Sequence, residues 1–188
     1  MANARDIRIL ALQALYAIDA SDGRDAAAIE QAIGEPGTAF GLLDSTARGA
    51  VPEPEAEYSP AERRKAFEAA SQAWATRDEA DEFFATLAPT WPASRQPVVD
   101  RSILRLAWRE LSLGKPAARI VVDEAIELAK SFSTEKSPAF INGLLDKALK
   151  HFEREQGDTD DAFDAPEAPA AHATPATPAT PTNGAPEA

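Results

Sequence analysis

The sequence predicts an all-α fold, a compact bundle of about six or seven helices. Apolar residues recur at helical spacing in successive segments, and Pro or Gly stands where most of those segments end. No segment alternates with the two-residue period of a strand over a useful length. The 188 residues, of which 44% are hydrophobic, suffice for one domain, or one domain with a tail, built around a buried core.

The first predicted helix covers 5–19. One side of it is apolar, and that side carries Ile7, Leu10, Ala11, Ala14 and Ile18. A second set follows helical spacing on the opposite side and consists of Arg5, Ile9, Leu12 and Tyr16. A helix that is apolar on two faces is either buried between layers or offers one face to a partner, and the sequence leaves both alternatives open.

The middle of the chain contains a long connection and two further helices. Residues 34–60 are rich in Gly, Pro and acidic residues and predict an irregular connection with a possible short helix near 41–48. Ser59 and Pro60 then have the residue types of a helix N-cap and first position, so they predict a helix to about Thr76. Residues 78–88 predict another, which Pro89 ends.

Three helices are predicted in the last third of the bundle. The first covers 98–113 and stops at Gly114, and the second covers 120–132. Ser137 and Pro138 again have the residue types of an N-cap and a first helical position. The predicted core positions are Val99, Ile103, Leu106, Ala107 and Leu111, then Val122, Ala125, Ile126 and Ala129, then Ile141, Leu144, Leu145, Ala148 and Phe152.

The residues beyond the last helix predict a tail. Residues 157–188 have Phe163 as their only large apolar residue and contain the repeat ATPATPATPT. Such a composition buries too little area to offset the entropy of ordering. We therefore expect a helical domain at 1–156 and a disordered, partly polyproline-II tail at 157–188.

Composition and motifs argue against catalysis. The chain has no cysteine, which excludes disulfides, thiolate nucleophiles and Cys-based zinc sites. Its two histidines, His151 and His172, have no second ligand at metal spacing, so solvated surface positions are the favoured interpretation. No nucleophile elbow, P-loop or dinucleotide fingerprint occurs. We expect neither an enzyme nor a bound metal or cofactor.

The charge distribution limits where nucleic acid can bind. The net charge is −12, and 157–188 contains six acidic and no basic residues, so the preceding part is less acidic. Any RNA binding must therefore come from a local basic patch. No apolar run is long enough for a membrane span, and the first residues lack the pattern of a signal peptide. The cytoplasm is the simplest compartment for such a chain.

Arginine marks the candidate patch. Arg101, Arg105 and Arg109 recur every four residues and fall on one stripe of their helix. An exposed polar face explains such a stripe, but its purely arginine character in an acidic chain equally favours phosphate binding. Arg5 and Arg8 lie on the first helix, where Tyr16 shares the side of Arg5 and has packing as its simpler interpretation.

The last helix adds two candidates. Phe140 lies off its main apolar stripe, and Asn142 is a poor helix former in mid-helix. Packing and a side-chain-to-backbone hydrogen bond are the simpler interpretations of these two. Gly143 is predicted to permit a close helix approach. The arginines and Tyr16 together are predicted to form one continuous outward surface.

Three segments carry a family resemblance. ALQALYAID (11–19), DRSILRLAWREL (100–111) and VVDEAIELAKSFSTEKSPAFINGLLDKAL (121–149) resemble the NusB transcription antitermination family. The last segment is the most specific, because EAIELAK is followed by FINGLLDK. The resemblance covers roughly 4–152 and implies an all-helical bundle of two subdomains, in agreement with the periodicity.

The resemblance implies a non-enzymatic adaptor. Such proteins pair with the ribosomal protein NusE, bind the single-stranded boxA element of nascent ribosomal RNA, and work in the RNA polymerase antitermination complex. Carried over by position, the resemblance implies RNA-binding roles for Arg5, Arg8, Arg101, Arg105, Phe140 and Asn142. It implies partner-binding roles for Tyr16 and Asp100, and Leu12 is predicted to extend that contact on the face of Tyr16.

Two alternatives stay open. In the first alternative, the chain is a protein-interaction or homodimerisation module without an RNA role, and Ile9, Leu12 and Tyr16 form its contact face. The other alternative, and the least favoured, is an accessory to ribosomal RNA methylation, because NusB-like domains also occur fused to cytosine methyltransferases.

Overall fold

The computed structural model describes residues 2–34 and 58–160. These residues form seven α-helices and one short 3-10 helix and contain no strand, which confirms the all-α prediction. The helices are α1 (Ala4–Ala20), α2 (Ala26–Ala32), α3 (Pro60–Ala75), α4 (Arg77–Leu87), α5 (Val98–Ser112), α6 (Ala118–Phe132) and α7 (Ser137–Asp160), with the 3-10 helix at Ala93–Arg95.

Helix α1 is buried between layers. It begins with a reciprocal capping box, in which the Asn3 side chain accepts from the backbone of Asp6 and the Asp6 side chain accepts from the backbone of Asn3. It packs against α3 on one side and α5 on the other. The first predicted apolar side is buried, and the second is covered only in part, because Leu12 is buried whereas Ile9 and Tyr16 are half-buried.

A tight turn and a short helix follow α1. Asp22 and Gly23 adopt positive φ angles of 52° and 75°. A Cβ on Gly23 would lie 3.0 Å from Nε1 of Trp74 in α3, so both the angle and the space favour glycine. Helix α2 comes next and was not predicted. It has seven residues, no side-chain cap and Ile29 as its buried position, too little to give a periodic signal.

Helix α3 begins where the sequence predicts. Ser59 is its N-cap and Pro60 its first residue, and Ser59 forms a capping box with Glu62. The Glu62 carboxylate also accepts from the backbone N–H of Ala2 at 2.8 Å. The start of α3 is thereby fixed to the chain segment that leads into α1.

Helix α5 is the central helix of the bundle. It packs against α1, α3, α4, α6 and α7, and Gly114, whose φ is 64°, follows its C-cap Leu113. The buried side chains form one core cluster, which includes Leu10, Leu15, Ile18, Ile103, Leu104, Phe132, Ile141 and Leu145.

Several predicted boundaries shift or fall outside the described residues. Helix α7 runs to Asp160, four residues past the predicted domain end at 156. Ser137 is the first residue of α7 and not its N-cap. The predicted short helix at 41–48, most of the 34–60 connection and the predicted tail from 161 onward lie outside the described residues.

None of the helices in 2–34 and 58–160 combines the length and the apolar character that a membrane span requires.

Candidate functional site

The predicted basic stripe of α5 faces neighbouring helices. Arg105 is 6% exposed. Its Nε and Nη2 donate to the two carboxylate oxygens of Asp81 in α4 at 2.9 and 2.6 Å, and its Nη1 donates to Asp19 of α1 at 3.2 Å. Arg101 donates from Nε to the other oxygen of Asp19 at 2.7 Å. A buried guanidinium requires such partners.

The outward orientation predicted for this stripe is therefore wrong for Arg105, and Arg101 keeps only 21% of its side chain exposed. Burial alone would lower the pKa of Arg105, but the hydrogen bond and charge of Asp81, together with Asp19, raise it above its ordinary value. The group remains a permanent cation that is already neutralised. It joins α1, α4 and α5 and is not available to a phosphate.

Arg5 and Arg8 lie on α1 and also meet carboxylates. Arg5 donates from Nη2 to Glu124 of α6 at 2.9 Å, and 49% of its side chain is exposed. Arg8 donates from Nε and Nη2 to Glu110 of α5, both at 2.9 Å, and 15% of its side chain is exposed. The hydrogen bond between Arg5 and Glu124 raises the pKa of the arginine and lowers the pKa of the glutamate.

The carboxylate of Asp100 is enclosed. Asp100 is 3% exposed, and its two oxygens accept hydrogen bonds from Ser133 and Ser137, the latter at 2.8 Å. Ser133 follows α6 and Ser137 begins α7, so the carboxylate joins the start of α5 to the turn between these helices. The burial contradicts the predicted direct contact between Asp100 and a partner, because both oxygens are occupied inside the protein.

The partner face predicted on α1 is only partly available. Leu12 is 0% exposed and belongs to the core, which contradicts its predicted partner contact. The reason is that α3 and α5 cover both sides of α1. Tyr16 is half-buried and packs against the same core, so part of its ring faces outward.

Phe140 and Asn142 differ in exposure. Asn142 is exposed and Phe140 is half-buried against the core, while Ile141 between them is 0% exposed. Gly143 does not serve a close helix approach, because a Cβ built on it meets nothing within 4 Å. That prediction is wrong. The exposed amide of Asn142 and the edge of Phe140 remain accessible at the start of α7.

The predicted RNA-binding residues do not form one continuous surface. Arg8 pairs with Glu110, toward the end of α5, and Arg5 pairs with Glu124 of α6. Phe140 and Asn142 instead lie on the helix whose first residue contacts Asp100, at the start of α5. Ten residues separate Asp100 from Glu110, which is roughly 15 Å along a helix axis. Two groups of accessible residues thus flank a buried ion-pair cluster.

Sequence reasoning missed the carboxylates that neutralise the arginines. Asp19, Asp81, Glu110 and Glu124 pair with arginines 24 to 119 residues away in the chain. No local spacing rule connects residues so far apart. The available signal was indirect, since an acidic chain with arginines on a mostly apolar helix needs internal counter-ions.

The described residues contain no arrangement suited to a metal ion, and His151 is not a solvated surface residue. His151 is half-buried, with its ring centroid 4.9 Å from that of Phe83, so the predicted solvated position is wrong. It belongs to an aromatic cluster with Trp108 and Phe152. Among residues 2–34 and 58–160, no group of three or more His, Cys, Asp or Glu is arranged to hold a metal ion.

Comparisons with known proteins agree on one family. The sequence profile of the NusB family matches residues 5–150. "Transcription antitermination protein NusB" of Streptomyces griseus subsp. griseus is 52% identical over 84 residues, which cover 42% of this chain and 58% of that protein. The protein of the same name from Herpetosiphon aurantiacus is 38% identical over 88 residues, which cover 45% of this chain and 60% of that protein.

The matched part of the chain thus spans a little over half the length of these relatives. Among solved structures, that of T. maritima NusB has a TM-score of 0.60 and 27% identity, and the match covers 84% of this chain and 98% of that chain.

Proposed function

Since this chain belongs to the NusB family, as the profile match over residues 5–150 shows, we propose that it is a transcription antitermination factor. It binds boxA-type single-stranded RNA in nascent ribosomal RNA transcripts together with the ribosomal protein NusE. In this role it belongs to the RNA polymerase antitermination complex and acts by binding, without catalysis. The observation that carries the proposal is the extent of the match, which runs from the first turn of α1 into α7.

The exposed edges of the candidate site support RNA binding. Asn142 offers an amide for a base edge, and the edge of Phe140 offers an aromatic surface beside it. Half of the Arg5 side chain is exposed, and ion pairs in such positions contribute little free energy. A phosphate can therefore take the place of Glu124 at Arg5. Arg105 has no such freedom, and we assign it a structural role.

Tyr16 supports the proposed protein partner. Its ring is fixed on one side by the core and open on the other. A rigid, half-buried tyrosine offers contact area at a low entropy cost, which is why such residues are frequent in protein interfaces. We propose that NusE contacts this part of α1.

The test is a binding titration. A fluorescein-labelled boxA-type RNA is titrated with this protein, with and without purified NusE, and anisotropy is read. We expect weak binding by the protein alone, tighter binding with NusE, and a loss of the gain when the RNA is scrambled. Equal affinity for boxA and scrambled RNA in the presence of NusE contradicts the proposal.

A second candidate function follows from the ion pairs. Because Arg5, Arg8, Arg101 and Arg105 all contact carboxylates, the chain could act as a protein-interaction or homodimerisation module with no RNA role of its own. Sedimentation, which measures homodimerisation, and a NusE pull-down, which measures partner binding, separate this candidate from the antitermination factor. This candidate is favoured if NusE binds fully while the charge reversal Arg5→Glu leaves RNA recruitment unchanged.

A further inference from the structure

A groove bounded by α1, α3, α5 and α6 gathers four basic side chains, of which only Arg8 is among the predicted RNA contacts. Its volume is about 580 Å³. Lys65 of α3, Arg109 of α5 and Lys115 of the turn between α5 and α6 all line it, and so does Arg8. Three helices and one turn therefore bring positive charge to one concave surface of a chain whose net charge is −12.

Three of these four cations lack an acidic partner, whereas Arg8 pairs with Glu110. Within the two described stretches, no carboxylate lies at ion-pair distance from Lys65, Arg109 or Lys115. Arg109 donates only to the neutral amide oxygen of Gln72, at 2.8 Å. An incoming anion meets these groups without first displacing a carboxylate.

The acidic residues of the groove do not cancel this charge. Glu110 is engaged by Arg8 through two hydrogen bonds of 2.9 Å. Glu68 accepts from the amide of Gln72 at 3.1 Å and is exposed to solvent. Four cations therefore face two carboxylates in the lining. The groove is a locally positive surface in an acidic protein, which is the condition for local electrostatic attraction of an anionic polymer.

We propose that the rim of this groove binds the phosphodiester backbone of single-stranded RNA through Lys65, Arg109 and Lys115. The inference rests on the proposed function and adds contacts to it. The rim continues from Arg8, next to Arg5, so the groove extends the group of accessible residues at the end of α5. The floor of the groove is apolar and includes Ile7, Ala11, Val121 and Ala125, so the positive charge lies along its rim.

The test compares two double charge reversals. The variant Lys65→Glu/Lys115→Glu changes the groove, and Lys147→Glu/Lys150→Glu makes the same change in net charge on α7. All four side chains are exposed, Lys150 pairs with Asp146, and Lys147 donates to a backbone carbonyl. Anisotropy titrations of boxA-type RNA with NusE present are repeated over a series of salt concentrations.

We expect weaker RNA binding for the groove variant and a shallower dependence of log affinity on log salt. Each phosphate contact to a single strand contributes a slope of about −0.7, so two lost contacts reduce the slope by about 1.4. The α7 variant keeps the wild-type slope. Should the groove variant melt prematurely by circular dichroism, Arg109→Gln replaces it, with an expected slope reduction of about 0.7.

Each outcome has a distinct consequence. Identical salt slopes for wild type, groove variant and α7 variant overturn the inference and leave the proposed function standing. Loss of NusE binding by the groove variant in the absence of RNA makes the groove a protein-docking surface, which also overturns it. Sequence-independent RNA binding with the expected slope change contradicts the boxA function but supports the phosphate contacts. A wild-type protein that binds no RNA overturns both.

Discussion

Arg105 shows at the residue scale how one side chain joins three helices. Its guanidinium uses all three nitrogens on two carboxylates, Asp81 of α4 and Asp19 of α1. The side chains of Arg105 and Asp19 are each only 7% exposed, so water does not replace a lost partner there. The helix spacing of the arginines was predictable, but the direction in which they point depends on acidic residues on other helices.

The first prediction concerns removal of this guanidinium. Arg105→Ala removes the arginine partner of Asp81 and one of the two arginine partners of Asp19, and breaking a buried ion pair costs about 3–5 kcal/mol. The free energy of unfolding is measured by urea titration followed by circular dichroism. Arg109→Ala is the control, since Arg109 lies on the same stripe and contacts only Gln72. Its expected cost is below about 1 kcal/mol. Equal losses in the two variants contradict the proposed role.

The second prediction concerns pH. The hydrogen bond from Arg5, aided by the charges of Arg5 and Arg8, holds the pKa of Glu124 below its ordinary value of 4.5. A carboxylate whose pKa is lowered by folding stabilises the protein above the unfolded-state pKa, and this contribution disappears as the pH falls through the folded-state pKa. Wild type should therefore exceed Glu124→Gln in unfolding free energy at pH 7. The difference should shrink as the pH falls below 4.5.

Urea titrations of both proteins, from pH 7 down to the lowest pH at which both are folded without urea, measure this difference in unfolding free energy. A gap that stays constant over the whole range means that the Arg5–Glu124 pair does not contribute through ionisation.

Helix starts are the best-predicted features at the element scale. Ser59 and Pro60 specify the first turn of α3 by local chemistry alone, and the structure has both in the predicted positions. The start of α7 was less accurately predicted, because the Ser137 hydroxyl contacts Asp100, a residue distant in the sequence. Helix α2 escaped prediction because seven residues with one buried position give no periodic pattern.

The third prediction tests the cap of α3. The Ser59 hydroxyl accepts from the backbone N–H of Glu62 at 3.3 Å, so Ser59→Ala leaves that donor without its partner. Loss of a serine cap costs about 1 kcal/mol, measured as a fall in unfolding free energy. Ser71→Ala, the same substitution in the interior of α3, is the control. There alanine should be neutral or slightly stabilising, because it has the higher helix propensity.

A Ser59→Ala loss no larger than that of Ser71→Ala would show that α3 is held by packing against α1 alone, without help from its cap.

At the scale of the whole molecule, the fold was predictable and the surface was not. The helical periodicity identifies the core of α1, α5, α6 and α7. Of the 19 core positions predicted on these helices, 17 are confirmed by their burial, such as Ile103, Leu145 and Ala148. The candidate site depended on which faces remain open after packing. That property emerges only when helices meet, so Leu12, Asp100 and Arg105 were misplaced while Asn142 and Arg5 remain accessible.

The distribution of charge over the surface also depends on how the helices pack. Four carboxylates, those of Asp19, Asp81, Glu110 and Glu124, neutralise arginines between the helices. Basic groups without acidic partners remain at the groove between α1, α3, α5 and α6. An acidic protein can therefore present a positive surface to RNA. Sequence counting alone gives the sign of the whole molecule but not of this groove.

The most direct test of the central claim, that this chain is an antitermination factor, is transcription through a terminator in vitro. RNA polymerase transcribes two templates that differ only in an intact or a scrambled boxA upstream of the terminator, with NusE and the remaining antitermination factors supplied. The account predicts that adding this protein raises the read-through fraction on the boxA template and leaves the scrambled template unchanged. Equal read-through on both templates would contradict it.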